Sequence, residues 1–517
     1  MAGPLAAAVA LFVVLAAASA ETVNLELKRL EPLDRVYRAN SPQTFSMQVG
    51  LNRPDAQADE FAKIVKKQPE KYNSESPLRG VATLGSGQYA FVLDQKAEEP
   101  KEEPQEEPAE EPTEEKSAEE QSDQQKPEQT KPKVERPKAY DLLYFDLNHN
   151  GDLTDDEPIE GTVPQSRAAA VRRSLPLAYS MVPSASSSCT FPRVDLTIDV
   201  DGTEAEYAFF LTSQSSTRRT TRLVSAFLMA AAYRAGEITI NGESKRVALI
   251  DSNSNGRFDD GPMIDERIRE STGRLYPRYG DWLLIDPAES GRNLTAARHF
   301  VAKLLTIDGE FYDMAVSPAG DKLTLTPCSA ATGRLTSPNS GLEVTLYSDK
   351  GILNVTCNES EPTPCPEGTW NLVSCTINRT EEKKPDDQEQ TMLEVKPKEG
   401  DAKEQSSPPA MARAMMAARA RSNLTRLSAY GTVDCKPIEV RAGETTVLPF
   451  GPQYKPIVKS SSRIEAGKTA QLGLSLLGAG GETCSSLMVD GKRPDKPTFT
   501  ISTPDGEELT TGSFEYG

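Results

Sequence analysis

The stretch Glu237-Ile-Thr-Ile240-Asn-Gly242-Glu-Ser-Lys245-Arg-Val-Ala-Leu-Ile250-Asp-Ser-Asn253-Ser-Asn-Gly256 decides how this chain is read. Asn241-Gly242 supplies the two positive φ angles of a tight turn, so Glu237–Ile240 and Lys245–Ile250 are predicted to pair as a β-hairpin. The second strand then runs directly into a loop dense in Asp, Asn and Gly. The same grammar recurs outward in both directions. Val194–Val200 turns at Asp201-Gly202 into Ala205–Leu211, and Leu304–Ile307 turns at Asp308-Gly309 into Glu310–Val316. Gly80–Leu84, the turn Gly85-Ser86-Gly87 and Tyr89–Leu93 make another hairpin. The expected fold class is mainly β: an antiparallel N-terminal domain, then one or two β-sandwich modules, with two disordered insertions. Arg222–Ala235 is ambiguous, since its Ala and Leu content favours helix and its place before a hairpin favours strand.

Four regions follow from texture. Residues 1–20 read as a removable export signal, with Leu5–Ala18 apolar and Ala18-Ser19-Ala20 as the cleavage pattern. Residues 21–325 form the β-rich domain, and no later stretch is long and apolar enough for a membrane span. Lys96–Lys138 carries 15 acidic and 8 basic residues, hence a net charge of −7, and has almost nothing to bury. It is expected to be disordered, inserted between strands that pair. A second such insertion is expected at residues 379–422, with Met411–Arg421 able to form at most a short helix. The motif Thr239-Ile-Asn-Gly-Glu243 returns as Thr306-Ile-Asp-Gly-Glu310, a weak internal repeat. The net charge of −19 over 517 residues argues against nucleic acid as a partner, because that needs a basic face.

Two loops carry the chemistry. The first is Asp146-Leu-Asn148-His-Asn150-Gly151-Asp152-Leu-Thr154-Asp-Asp-Glu157. It fills D-x-[DN]-x-[DN]-G-x5-E, in which oxygens converge from alternate residues around a glycine turn. Asp146, Asn148 and Asn150 would give side-chain oxygens, Asp152 its carbonyl, Thr154 a water contact and Glu157 both carboxylate oxygens. Leu153 would anchor the loop in the core. The second loop is Asp251-Ser-Asn253-Ser-Asn255-Gly256-Arg257-Phe-Asp259-Asp260. Pro262 stands at its twelfth position, so Asp260, Asp265 or Glu266 would have to replace the glutamate. The expected ion is Ca2+, held more weakly by the second loop. These loops resemble the EF-hand-like or dockerin-like calcium loops of exported bacterial proteins, here fed by strands rather than helices. The resemblance covers the loop residues and implies ligands, not a helix-opening switch.

Residues 326–435 resemble transthyretin-like or carboxypeptidase-regulatory-like β-sandwich modules through Gly341–Gly351 and Pro366–Val373. Residues 436–517 alternate like an immunoglobulin-like sandwich. Six of the seven cysteines follow residue 320, which predicts a C-terminal disulfide set in an oxidising compartment. Catalytic signatures are sparse: of two histidines, His149 lies inside the first loop and His299 has no partner motif. The expected function is an exported, non-enzymatic calcium-binding surface or secreted protein, with a cell-surface protein or polysaccharide as candidate partner. The competing expectation is an exported hydrolase acting on peptide or polysaccharide, with calcium only structural.

Overall fold

The computed structural model describes residues 20–34, 36–49, 56–97, 137–164, 186–218, 221–288, 294–380, 424–460, 471–489 and 491–516. The chain is mainly β, built from several antiparallel sheets. The export signal before residue 20, nearly all of both expected insertions and the Met411–Arg421 segment lie outside the described residues. No helix among the described residues is long and apolar enough to cross a membrane.

The hairpin turns take the expected form. Asp201, Asn241 and Asp308 sit at φ 53°, 54° and 51°, each followed by a glycine at 83°, 81° or 85°. These paired positive φ values match the twist of the strands they join. The ambiguous segment is two strands, Thr221–Ala230 and Ala232–Ile240. Its helix-forming residues lose to tertiary pairing. Thr221–Ala230 registers along Thr203–Arg218 from Arg218↔Thr221 to Phe209↔Ala230, and on its other edge along Gln43–Val49. Small residues at Ala226, Ala230 and Ala231 let the surrounding core close over them.

That core stacks the first sheets face to face. Phe45 meets Phe91 edge-on at 4.8 Å, and Phe145 lies 4.9 Å from Phe209. The strands flanking the acidic tract pair directly, Leu93 opposite Leu143 and Asp94 opposite Leu142. The ladder extends to the mouth of the insertion, where the Lys96 amide donates to Asp141 Oδ1 at 2.8 Å. Residues 98–136 therefore connect neighbours that are already in register. Replacing them with a six-residue Gly/Ser turn is expected to leave folding intact and to raise stability by about 1–2 kcal/mol, since each halving of a loop recovers about 0.6 kcal/mol. A urea melt of that variant checks this, and failure to fold would contradict it.

The second insertion has the same placement, because Gly368–Thr380 and Leu424–Tyr430 pair from Thr380↔Leu424 onward. Strand pairing also runs across the boundary expected at 435/436. Trp370 stands opposite Ile438, Arg426 opposite Met488, and Arg334 beside Thr445 in a parallel pair. One core spans these strands, with Trp370, Leu346, Leu372, Val440 and Phe450 all buried. The hairpin of Thr498–Ser502 and Glu508–Ser513 forms its own two-stranded sheet.

The expected disulfides are not formed, and all seven thiols are free. Cys375 and Cys484 are one such pair. They flank Ala429 on opposite neighbouring strands, so two strand spacings of about 4.8 Å separate their backbones, beyond disulfide reach. Burial pushes the Cys365 and Cys375 thiols up to about 12, and both pack as small apolar side chains.

Candidate metal centres

Both loops leave the ends of paired strands. Leu142–Phe145 feeds the first, and Glu243–Ile250 feeds the second. After the first loop the chain returns as Ile159–Glu160 and pairs with the strand it left, Leu142 opposite Glu160. That makes the first loop the long turn of a hairpin, which has no hinge between flanking helices.

The two loops correspond position for position. His149 and Ser254 take positive φ of 56° and 63°, and the following Gly151 and Gly256 take 82° and 79°. At Gly256 a Cβ would also come within 2.8 Å of the Gly85 amide, so the position admits only glycine. The first acid of each loop is fully buried and organises the turn. Asp146 accepts the Asn150 and Gly151 amides at 3.0 Å each. Asp251 accepts the Ser254, Asn255 and Gly256 amides at 2.6, 3.2 and 2.8 Å, and the Tyr207 hydroxyl at 2.7 Å. Desolvation pushes the Asp251 carboxyl up to about 6 despite those hydrogen bonds.

The two asparagines of each loop converge on one further carboxylate. In the first loop Asn148 and Asn150 donate to Asp155 Oδ2 at 3.2 and 2.7 Å. In the second loop Asn253 and Asn255 donate to Asp260 Oδ2 at 2.8 and 2.6 Å. Asp155 and Asp260 hold the same tenth position. Glu157, the twelfth residue of the template, is exposed and makes no hydrogen bond to the loop among the described residues. Of the three acids that might replace it in the second loop, only Asp260 turns inward. Asp265 caps the helix Glu266–Thr272, and Glu266 pairs with Arg269.

The seventh and ninth side chains face away from this convergence. Asp152 accepts from the Thr154 hydroxyl and from Lys67, and those two partners hold its carboxyl down near 2. Arg257 forks onto Asp259 and Asp201. The eighth residues are the anchors. Leu153 is buried beside Phe61 and Val92, and Phe258 is buried against Gly320. His149 stacks on Tyr89 at 4.4 Å and serves as packing. His299 lies in the strand Arg298–Phe300, where burial lowers its pKa.

One further acid ties down each loop, and the one at the second loop lies outside the motif. Asp281 accepts the Ser252 and Asp260 amides at 2.8 and 3.0 Å, and so clamps both ends of the second loop. Asp156 does half of this in the first loop, accepting from the Leu147 amide at 3.0 Å. Burial, then the charges of Asp251 and Asp260, push the Asp281 carboxyl well up. Gly280 is required beside it, since a Cβ there would sit 1.8 Å from the Asp260 carbonyl oxygen. Among the described residues, no cluster of three or more His, Cys, Asp or Glu side chains forms a metal site. Each loop instead gathers its two asparagine side chains on one carboxylate, Asp155 or Asp260, beside the buried first acid that holds the turn. The chain matches no family model, no curated protein and no solved structure.

Proposed function

We propose that this is an exported, non-enzymatic calcium-binding protein whose two loops rigidify the N-terminal β unit, leaving the remaining surface for binding. One observation carries the reading. In both loops the two asparagine side chains meet at the tenth-position carboxylate, the first-position carboxylate holds the backbone amides of the turn, and no basic side chain is paired to either acid among the described residues. A hard divalent cation complements carboxylates flanked by side-chain amides that can turn their oxygens inward, and calcium tolerates irregular geometry. Turning each asparagine amide by 180° would present oxygen in place of N–H toward Asp155 and Asp260, which is the change an entering ion needs. Export rests on the apolar start of the chain and its Ala18-Ser19-Ala20 pattern. The two acids with raised pKa, Asp251 and Asp281, are buried and bonded to backbone amides, a structural role more than a catalytic one.

Calcium bound only by the folded state adds RT ln(1 + [Ca]/Kd), about 2.7 kcal/mol per site at a hundredfold excess over Kd. The expected result is a melting temperature several degrees higher in millimolar calcium than in chelator. Magnesium at the same concentration should give a smaller rise, because it demands a regular octahedron. Identical melts in calcium and chelator would refute the proposal.

A further inference from the structure

A cavity of about 720 Å3 opens beside the second loop, walled by residues 276–280 and Trp282 on one side and Arg298 and Phe300 on another. Its floor is rigid, because Trp282–Ile285 and Arg298–Phe300 are hydrogen-bonded strands with Trp282 opposite Phe300. Tyr279 stacks on Phe300 with ring centroids 4.4 Å apart and is half exposed. The Arg298 guanidinium lies 4.6 Å over Trp282 and 5.8 Å from the Phe300 centroid. It makes no ion pair or hydrogen bond among the described residues, and neither does Arg278, which lines the same cavity. In a chain of net charge −19, two cations facing one cavity without carboxylate partners need an explanation.

We propose that this cleft binds an acidic saccharide. A stacked guanidinium has its fork of donors fixed in plane, which suits the two oxygens of a carboxylate or sulfate. Tyr276 and Tyr279 present aromatic surface beside it, on which the apolar C–H face of a pyranose ring packs. Asn40 and Asn354 also line the cavity and add donors and acceptors for ring hydroxyls. The cleft wall is tied to the second loop: Asp281 donates its amide to the Asp260 carbonyl at 2.8 Å and accepts the Asp260 amide in return. Asp260 itself lines the cavity. Calcium in that loop would offset its charge and favour an anionic ligand, a coupling that rests on the calcium reading, whereas the cleft itself does not.

The chain has two tryptophans, Trp282 in the cleft and Trp370 buried in the C-terminal core, so a change in emission on ligand addition that is lost in Trp282→Phe reports the cleft. Full-length protein would be titrated with tetragalacturonate, sulfated maltotetraose, plain maltotetraose and tetraglutamate. One or both acidic sugars are expected to change Trp282 emission, and which of them does so identifies carboxylate or sulfate as the anion. Plain maltotetraose should bind at least tenfold more weakly. Arg298→Gln and Tyr279→Ala should each weaken the acidic sugar at least tenfold, and Tyr279→Ala, being a surface change, should keep the wild-type melting temperature. Absence of any fluorescence change, equal binding of plain maltotetraose, tighter binding of tetraglutamate, or unchanged affinity in both variants would overturn the proposal. Repeating the titration in chelator separates the two readings. Unchanged affinity there contradicts the calcium coupling and leaves the cleft standing.

Discussion

Asp251→Ala is expected to destabilise the N-terminal unit by about 4 kcal/mol or more, with or without calcium. The carboxylate it removes is fully buried and accepts four hydrogen bonds, three from backbone amides and one from Tyr207. Deletion leaves those donors buried without an acceptor, at about 1–3 kcal/mol for each one that cannot find water. Tyr207 has no alternative, since its ring is buried in the same core. Tyr207→Phe separates the contributions. It removes one donor together with its need for an acceptor, so its cost should be about 1 kcal/mol. Chemical denaturation of both variants decides the matter, and an Asp251→Ala protein as stable as wild type would mean that the buried loop is not what holds these sheets together.

The second large effect is on calcium affinity. Asp155→Ala should weaken binding at the first loop by tenfold or more, about 1.4 kcal/mol for each factor of ten. It removes a negative charge from the point where Asn148 and Asn150 meet. Asp155 is exposed, so the fold should be unaffected. Glu157→Ala should cost less than about threefold, because the chain turns at Pro158 into a strand paired with Leu142 and Leu143 rather than into a helix that would aim the twelfth residue at the ion. If Glu157→Ala is the more damaging change, the loop closes as an EF-hand does and Asp155 is only a rim residue.

The contrast between Asp155 and Glu157 shows where sequence reading reaches and where it stops. The first six loop positions were legible because their chemistry is local: alternate oxygens, then a glycine whose positive φ turns the chain. The meeting of Asn148 and Asn150 at Asp155 was not, since the template places its closing acid two residues later on the assumption of a helix after the loop. Asp281 gave no signal at all, lying 21 residues beyond the Asp260 amide it accepts. The same division holds for the fold. Asp201-Gly202, Asn241-Gly242 and Asp308-Gly309 announced their hairpins through backbone preference alone. Whether Thr221–Ala230 was strand or helix depended on Thr203–Arg218 and on Gln43–Val49, the latter some 180 residues away, which no local window contains. Pairing of Arg426 with Met488 across the expected module boundary is non-local in the same way.

The most direct test of the account is a calorimetric calcium titration of the full chain after exhaustive chelation. Two loops with matched convergent donors predict two binding events, with Asp155→Ala abolishing or weakening one and leaving the other. A titration that shows no calcium-dependent heat, together with a melting temperature indifferent to chelator, would contradict the account and leave both loops as hydrogen-bonded turns that close a β-structure.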